Sequence, residues 1–472
     1  MRPRSSGGFC SVPPIGGQRP EVTLWWRQLV PTAAAALTAL FVCVLAPSVL
    51  VALQIDAHPK FSPVDESAHY DYVNRVAEGE IPRQGERLMQ STLREIACKG
   101  NAFVVAETPP CTARVLRPDQ FPGRGYQYEA LHAPTYHTIT VPLRWVAQHV
   151  LGIDDRLDAT RAVGIVWLVA GLLLAWAAGR LVEIDPLRLG AVLLLLVAAP
   201  SVIYFYATVS TDVTAVTAGG VVALAAALAY RRERGAPILL LAAGGFAAAC
   251  KVTNMFVVVS VSAAFGVAAI AARADAESFG VTLRRWMRDG GRLLLGGVAT
   301  AVAWVIIHRT IAIVSLSEEP ALEGLRGGTQ SLGPVLRVAT SFLQPLNEEV
   351  AVGLVSATTL DQNVQRPLHA TLAFLLIAGG LAGLFVSPRG WQHVIGLIAV
   401  PALYIGGVVL GLGFMLGFGT DAGGGLSGRY GMSLAPLMLL ALAATLRGKW
   451  SVGAVAALAV TSFAVTLAVM AT

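Results

Sequence analysis

The chain has 472 residues, of which 55% are hydrophobic and only 14% are charged, and its mean hydropathy is +0.63. So few polar side chains cannot cover a water-soluble globule of this size. The composition therefore excludes a soluble domain and predicts an all-α polytopic protein of the lipid bilayer. The net charge of +6 lies largely in arginine clusters beside apolar segments, which membrane topology explains, so we expect no nucleic acid partner.

Residues 1–28 are polar and rich in glycine and proline, and they predict a disordered cytoplasmic tail. The apolar run that follows is longer than the core of a signal peptide. We therefore predict a retained first span over residues 29–53, with the amino terminus on the cytoplasmic side of the plasma membrane. Residues 29–472 are predicted to form one transmembrane domain.

Two adjacent carboxylates, Asp65 and Glu66, follow the first span closely. Charge beside a bilayer, in a chain that otherwise avoids charge, indicates chemistry on a lipid-borne or ion-like substrate. The pattern predicts a helix from Pro63 to Ala77. The alternative is that Ser62 caps this helix and that Asp65 only compensates the helix dipole, and spacing alone does not decide between the two.

Cys98 and Cys111 share the polar segment after the first span, without zinc-type spacing. In an oxidising compartment they would form a disulfide that stabilises the segment by roughly 3 kcal/mol. Two free thiols are the alternative. The remaining cysteines are isolated in the sequence: Cys10, Cys43 and Cys250.

A second polar element contains Glu129, His132 and His137 and leads into the apolar stretch 133–152. Its imidazoles can hydrogen-bond a phosphate or ligate a metal, or they can simply anchor a helix at headgroup depth. Because stretch 133–152 includes Arg144 and other polar residues, we predict an amphipathic helix at the outer interface. It is not counted as a span.

About eleven apolar runs are long enough to cross a bilayer. The short basic loops 231–234 and 284–288 are predicted to be cytoplasmic, which leaves two long extracytoplasmic segments, 54–158 and 315–368. The predicted spans lie near residues 29–53, 160–182, 187–206, 213–230, 236–250, 253–272, 292–313, 369–386, 392–413, 430–446 and 451–470.

This topology collects most ionisable groups of the bundle on its outer side, as an active site opening to that face requires. These residues are Asp65, Glu66, His69, Glu129, His132, His137, Asp212, Lys251, His308, Arg309, Asp421 and Arg429.

Four short motifs carry a resemblance to a known superfamily. They are the Asp65-Glu66 pair, the element 128–137, the segment 209–212 and Gly428-Arg429-Tyr430. Together they resemble the GT-C superfamily of polyprenyl-phosphate-sugar glycosyltransferases. The likeness is greatest to bacterial membrane proteins of the DUF2142 type and more distant to protein mannosyltransferases and aminoarabinose transferases. The implied fold is a GT-C-like helical bundle whose long first extracytoplasmic loop bears juxtamembrane helices.

The resemblance implies transfer of a sugar, with inversion, from a polyprenyl-phosphate donor to an envelope glycan, lipid or protein acceptor. It implies that Asp65 is the catalytic base and that Glu66 is an acidic companion able to touch a divalent cation. Ala133 stands where a proline is common, and an Asp-x-Asp motif is missing from this loop, which weakens the case for metal dependence. The implied substrate-binding residues are His69, Glu129, His132, Tyr136, Asp212, Lys251, Arg429 and Tyr430.

Lys251 and Arg429 fit the role of holding the donor phosphate, although both could instead reach toward lipid headgroups. Two rival functions remain open from the sequence. Buried charge in a many-span bundle also suits a transporter or a flippase for lipid-linked sugars, although the sequence has no evident inverted repeat. The third possibility is a non-catalytic partner in envelope assembly.

Overall fold

The computed structural model describes residues 32–63, 65–102, 108–271, 279–315 and 428–470, with a few single positions between 333 and 412. Throughout these residues the protein is helical and contains no sheet, only two isolated bridges. The predicted tail 1–28 and nearly all of the segment 315–368 lie outside the described residues.

The described α-helices follow one another along the chain with short connections. They are α1 (Ala33–Ala57, with a π-turn at Phe41–Leu45), α2 (Glu66–Ala77), α3 (Gln90–Lys99), α4 (Thr135–His149), α5 (Arg156–Leu181), α6 (Pro186–Val197), α7 (Pro200–Tyr206), α8 (Ala215–Tyr230), α9 (Ala236–Cys250), α10 (Met255–Ala271), α11 (Phe279–Trp286), α12 (Arg292–Ile311), α13 (Ala435–Thr445) and α14 (Lys449–Met470).

Six stretches of helix among the described residues are long and apolar enough to cross a membrane, or seven if the bent pair α6–α7 counts as one span. This agrees with a multi-pass membrane protein. The predicted spans 369–386 and 392–413 lie outside the described residues, and the runs near 236–250 and 430–446 form the shorter helices α9 and α13. The six are Ala33–Ala57, Arg156–Leu181, Thr211–Tyr230, Val252–Ile270, Gly280–Ile311 and Lys449–Met470.

The apolar run 187–206 was expected to be a single span, but it is broken into α6 and α7, which meet at an angle of 67°. Pro200 is the first residue of α7. A proline is tolerated in the first helical turn, where its missing N–H would have no partner, but it interrupts a continuous helix. The sequence contained this signal, and the length of the apolar run concealed it.

Helices α9 and α12 pack with their backbones in contact. A Cβ atom added to Gly244 would lie 2.0 Å from the carbonyl oxygen of Leu293, and one added to Gly296 would lie 2.0 Å from that of Leu241. Only glycine permits such an approach, as is usual where helices pack in lipid. This contact fixes the end of α9 beside the end of α12.

The polar segment between α1 and α5 folds into α2, α3, several 3-10 turns and α4. The predicted disulfide is present, because Cys98 is bonded to Cys111. Helix α4 matches the predicted non-spanning helix in 133–152, and it leaves Trp145 exposed. Its Arg144 is buried and donates to Asn74 Oδ1 of α2 at 2.7 Å, so this side chain faces the protein.

One end of the bundle collects the polar contacts that join these elements. Arg161 at the start of α5 binds Glu66 at the start of α2, and Lys251 after α9 binds Asp212 before α8. Arg429, just before α13, reaches Asp65. The helix ends that these residues flank therefore form a single polar face of the bundle.

Candidate functional site

The turn before α2 separates the two adjacent carboxylates. The helix begins at Glu66, three residues later than predicted, because Asp65 has φ 58° and ψ −2° in the left-handed region. Aspartate tolerates this conformation better than most residues. The Asp65 side chain makes no capping hydrogen bond, so the alternative that it only caps the helix is wrong.

Glu66 is completely buried, and both of its carboxylate oxygens are occupied. Arg161 donates to Oε1 from Nε at 2.8 Å and to Oε2 from Nη2 at 2.7 Å. The backbone N–H of Ser62 donates to Oε2 at 2.6 Å, and that of Val209 donates to Oε1 at 2.9 Å. These contacts do not support catalysis or cation binding by Glu66 and indicate a structural role instead.

The guanidinium of Arg161 also donates to the backbone oxygens of His58 and Lys60, at 2.7 Å each. It therefore ties the segment after α1 to the starts of α2 and α5. Sequence analysis did not select Arg161. The signal was available, because an arginine inside an apolar run is expensive in lipid and needs a partner.

Asp65, Asp212, Lys251 and Arg429 form the charged cluster of the site. Arg429 Nη2 lies 3.4 Å from Asp65 Oδ2, and its Nε lies 3.0 Å from Asp212 Oδ2. Lys251 Nζ donates to the other oxygen of Asp212. Four segments that are far apart in sequence therefore meet in one network of charge-assisted contacts.

Aromatic side chains line the charged cluster. The Tyr430 ring lies 4.7 Å from Lys251 Nζ and 5.2 Å from the guanidinium carbon of Arg429, distances typical of cation–π contacts. The Tyr128 hydroxyl donates to Asp65 Oδ1 at 3.2 Å. The Tyr128 contact was not predicted, although the residue lies in the element 128–137 singled out from the sequence.

His69, Glu129 and His132 form a second group, the histidine–glutamate group. Glu129 Oε2 lies 2.9 Å from His132 Nε2 and 3.3 Å from His69 Nε2. His137 stands behind His69, with its Nε2 at 3.3 Å from His69 Nδ1, and its ring stacks on Tyr72 at 3.7 Å. Loop residues and two helices therefore bring three imidazoles around one carboxylate.

Burial and neighbouring charge shift the acid–base properties of both groups. Desolvation, together with the negative charge of Glu129, raises the pKa of Asp65 to about 6, against the opposing effect of Arg429 and Lys251. Desolvation lowers the pKa of His69 to about 4. Burial alone would raise the pKa of Glu129, but His69 and His132 lower it to about 2.

Asp65 is also the most accessible of the three carboxylates. Its side chain is 36% exposed, compared with 7% for Asp212 and 8% for Glu129. A carboxylate with a pKa near 6 and an open face can accept a proton near neutral pH. Asp212 and Glu129 are held by their cationic and imidazole partners.

A cavity of about 750 Å³ opens beside the histidine–glutamate group, and His132 forms part of its wall. Its polar margin includes His308 and Arg309 near the end of α12. Most of the lining is apolar: Leu131, Ala133, Ala248, Val252, Ala301, Trp304, Val305, Ala312, Ile313 and Val314. An apolar wall with a cationic margin suits an amphiphile that carries an anionic head.

Most of the residues implied by the resemblance therefore come together in these two groups. Tyr136 does not contact the charged cluster through any described hydrogen bond; it is buried, with its ring 5.0 Å from that of His137. Asp421 lies outside the described residues. The residues that meet are Asp65, His69, Glu129, His132, Asp212, Lys251, Arg429 and Tyr430.

No protein-family model, no curated protein and no solved structure matches this chain.

Proposed function

We propose that the protein is a membrane glycosyltransferase that moves a sugar from a polyprenyl-phosphate donor to an extracytoplasmic acceptor hydroxyl, with inversion. The observation that carries the proposal is Asp65, a partly exposed carboxylate whose pKa is raised to about 6, beside two cations and close to an apolar cavity. The motif resemblance to the GT-C superfamily supports the same function.

The cavity is the proposed donor site. Its apolar walls suit an isoprenoid chain, and the margin formed by His132, His308 and Arg309 suits the phosphate end. His132 also contacts Glu129, so a donor seated in the cavity would bring its sugar toward the charged cluster. Entry from the bilayer is proposed, because the cavity lies between helices that could cross a membrane.

Asp65 is the proposed general base. It would take the proton of the acceptor hydroxyl while that oxygen bonds to the anomeric carbon and the bond from this carbon to the phosphate oxygen breaks. The leaving group is the polyprenyl phosphate, which keeps the electron pair of the broken bond. Lys251 and Arg429 would stabilise the charge that develops on it. Because this is a single displacement, no covalent sugar–enzyme intermediate is expected.

Blocking the cavity should inhibit transfer. In the variant Ala301→Trp an indole would project from α12 into the cavity, and we expect about a tenfold or larger loss of donor affinity, equivalent to roughly 1.4 kcal/mol. The matched control is Ala303→Trp, an exposed position on the same helix that does not line the cavity.

The measurement is release of polyprenyl phosphate, followed by mass spectrometry, in proteoliposomes supplied with a panel of synthetic polyprenyl-phosphate pentoses and hexoses. A wild-type protein that forms no new glycosidic bond with any member of the panel would count against the proposal. Equal donor affinity in the two tryptophan variants would remove the cavity from the donor site.

The transfer rate should depend on pH through Asp65. A general base acts in its deprotonated form, so kcat/KM should fall as pH drops through about 6. The groups that set this midpoint are Glu129 and Asp212, which raise the pKa of Asp65, and Arg429 and Lys251, which lower it.

A pH–rate profile from about pH 4.5 to 8 tests this expectation. The acidic limb should be missing from the residual activity of Asp65→Asn, because an amide does not titrate in this range. A wild-type rate that is flat between about pH 5 and 7, or that increases on acidification, would remove Asp65 as the base.

A transporter is the second candidate, because α6 and α7 form a broken helix with a 67° bend, and broken helices are common at transporter binding sites. The same proteoliposomes separate the two functions. Transport predicts that an intact lipid-linked sugar changes leaflet or accumulates, while transfer predicts a new glycosidic bond.

A further inference from the structure

We propose that His69, Glu129 and His132 bind one divalent transition-metal ion, with zinc as the best match. One candidate ligand atom from each of the three side chains lies within 4.8 Å of the others. The sequence placed any cation at Glu66 instead, and the hydrogen bonds of Glu66 leave that residue occupied. This site is a different set of residues.

The distances between the ligand atoms are close to those of a metal site. Two ligands bound at about 2.0–2.2 Å around a tetrahedral ion stand roughly 3.3 Å apart. Glu129 Oε2 lies 3.3 Å from His69 Nε2 and 2.9 Å from His132 Nε2. Small rotations of the imidazoles would therefore admit the ion between them.

His137 provides the outer support that metal-bound histidines usually have. A histidine that ligates through Nε2 normally donates its Nδ1–H to an acceptor, which fixes its tautomer and orientation. His137 Nε2 lies 3.3 Å from His69 Nδ1, in position to accept that hydrogen bond. The His137 ring is fully buried and stacked on Tyr72, so its position is fixed by packing.

The donor set identifies the class of metal. Two imidazole nitrogens and one carboxylate oxygen suit zinc and similar transition metals, whereas magnesium and calcium prefer oxygen ligands alone. Three protein ligands leave a fourth position open, which is the composition of catalytic rather than structural zinc sites. His132 lines the cavity, so a water or a ligand phosphate in the cavity could reach that position.

The charge of the whole region also favours a cation. Asp65, Asp212 and Glu129 face only two permanent cations, Lys251 and Arg429. Imidazoles are mostly uncharged at neutral pH, so these side chains together carry a net negative charge. A divalent ion would reverse its sign and make the site attractive to an anionic phosphate.

Metal binding can be measured without any assay of sugar transfer, so failure of the metal site and failure of the proposed function are distinguishable. Tag-free protein in detergent is stripped with a chelator and titrated with Co²⁺, whose visible absorption reports its coordination. Bound zinc is counted by elemental mass spectrometry. We expect about one equivalent of either ion, with no displacement by a large excess of Mg²⁺.

Variants locate the ion. His132→Gln and Glu129→Gln should each weaken binding by more than the roughly 10- to 100-fold expected for His137→Phe, which removes only the outer support. The matched control is His149→Gln at the end of α4, where the ring bonds only to the backbone of Trp145 and stacks on its indole. This control should bind like the wild type.

Size-exclusion profiles and melting temperatures establish that each variant is folded. His132 is 12% exposed at the cavity wall, so its replacement should be tolerated even if Glu129→Gln is not. Folded wild-type protein that binds neither zinc nor cobalt overturns the proposal. So does unchanged affinity in His132→Gln, or a preference for Mg²⁺ over Zn²⁺.

Discussion

Asp65→Asn should lower the rate of sugar transfer by about 10²- to 10⁴-fold, the usual contribution of a general base. The amide cannot accept the proton of the acceptor hydroxyl. Asparagine is the appropriate replacement, because it tolerates the left-handed backbone of residue 65. It also keeps an oxygen that can accept the hydrogen bond from Tyr128.

The matched control is Asp56→Asn. Asp56 is exposed near the end of α1, and its neutralisation should leave both the transfer rate and the melting temperature unchanged. The measurement is single-turnover transfer with a saturating donor, so that loss of chemistry is separated from loss of binding. Wild-type-like turnover in Asp65→Asn would exclude this carboxylate as the base.

Arg161→Met should lower the free energy of unfolding by about 3–5 kcal/mol, the usual effect of removing one partner of a buried ion pair. The variant leaves Glu66 charged and buried with only two backbone N–H donors. It also removes the donors to the backbone oxygens of His58 and Lys60. Thermal unfolding in detergent measures the effect as a lower melting temperature.

The double variant Glu66→Gln/Arg161→Met tests the physical reason. It should recover part of the lost stability, because no uncompensated buried charge remains. The control Arg234→Met removes an exposed arginine from the loop between α8 and α9 and should change stability by no more than about 0.5 kcal/mol. A melting temperature of Arg161→Met equal to that of the wild type would contradict the structural role of the pair.

These two variants separate the adjacent carboxylates by function. Asp65 is partly exposed and contacts Tyr128 and Arg429, so its replacement should affect transfer with little effect on folding. Glu66 is held by Arg161 at the junction of α1, α2 and α5, so disturbing that pair should affect folding first. The resemblance to a glycosyltransferase superfamily implied roles in catalysis for both residues.

Much of the architecture could be predicted from the sequence because it depends on local composition. The length and apolarity of a helix determine whether it can cross a bilayer, so the runs that became α1, α5 and α14 were recognised directly. Polar residues within 133–152 likewise predicted the shorter helix α4. The ionisable residues of the site were also selected correctly as a group, because charge is rare in this chain.

Only the tertiary structure decided what each of these residues does. Asp65 and Glu66 are neighbours with the same chemistry, and a left-handed turn directs one toward Arg429 and the other toward Arg161. His69 and His132 meet at Glu129 because α2 packs against the loop before α4. Sequence determined which segments are apolar and which groups are charged, but pairing between distant charges depends on packing, and packing has no local signature.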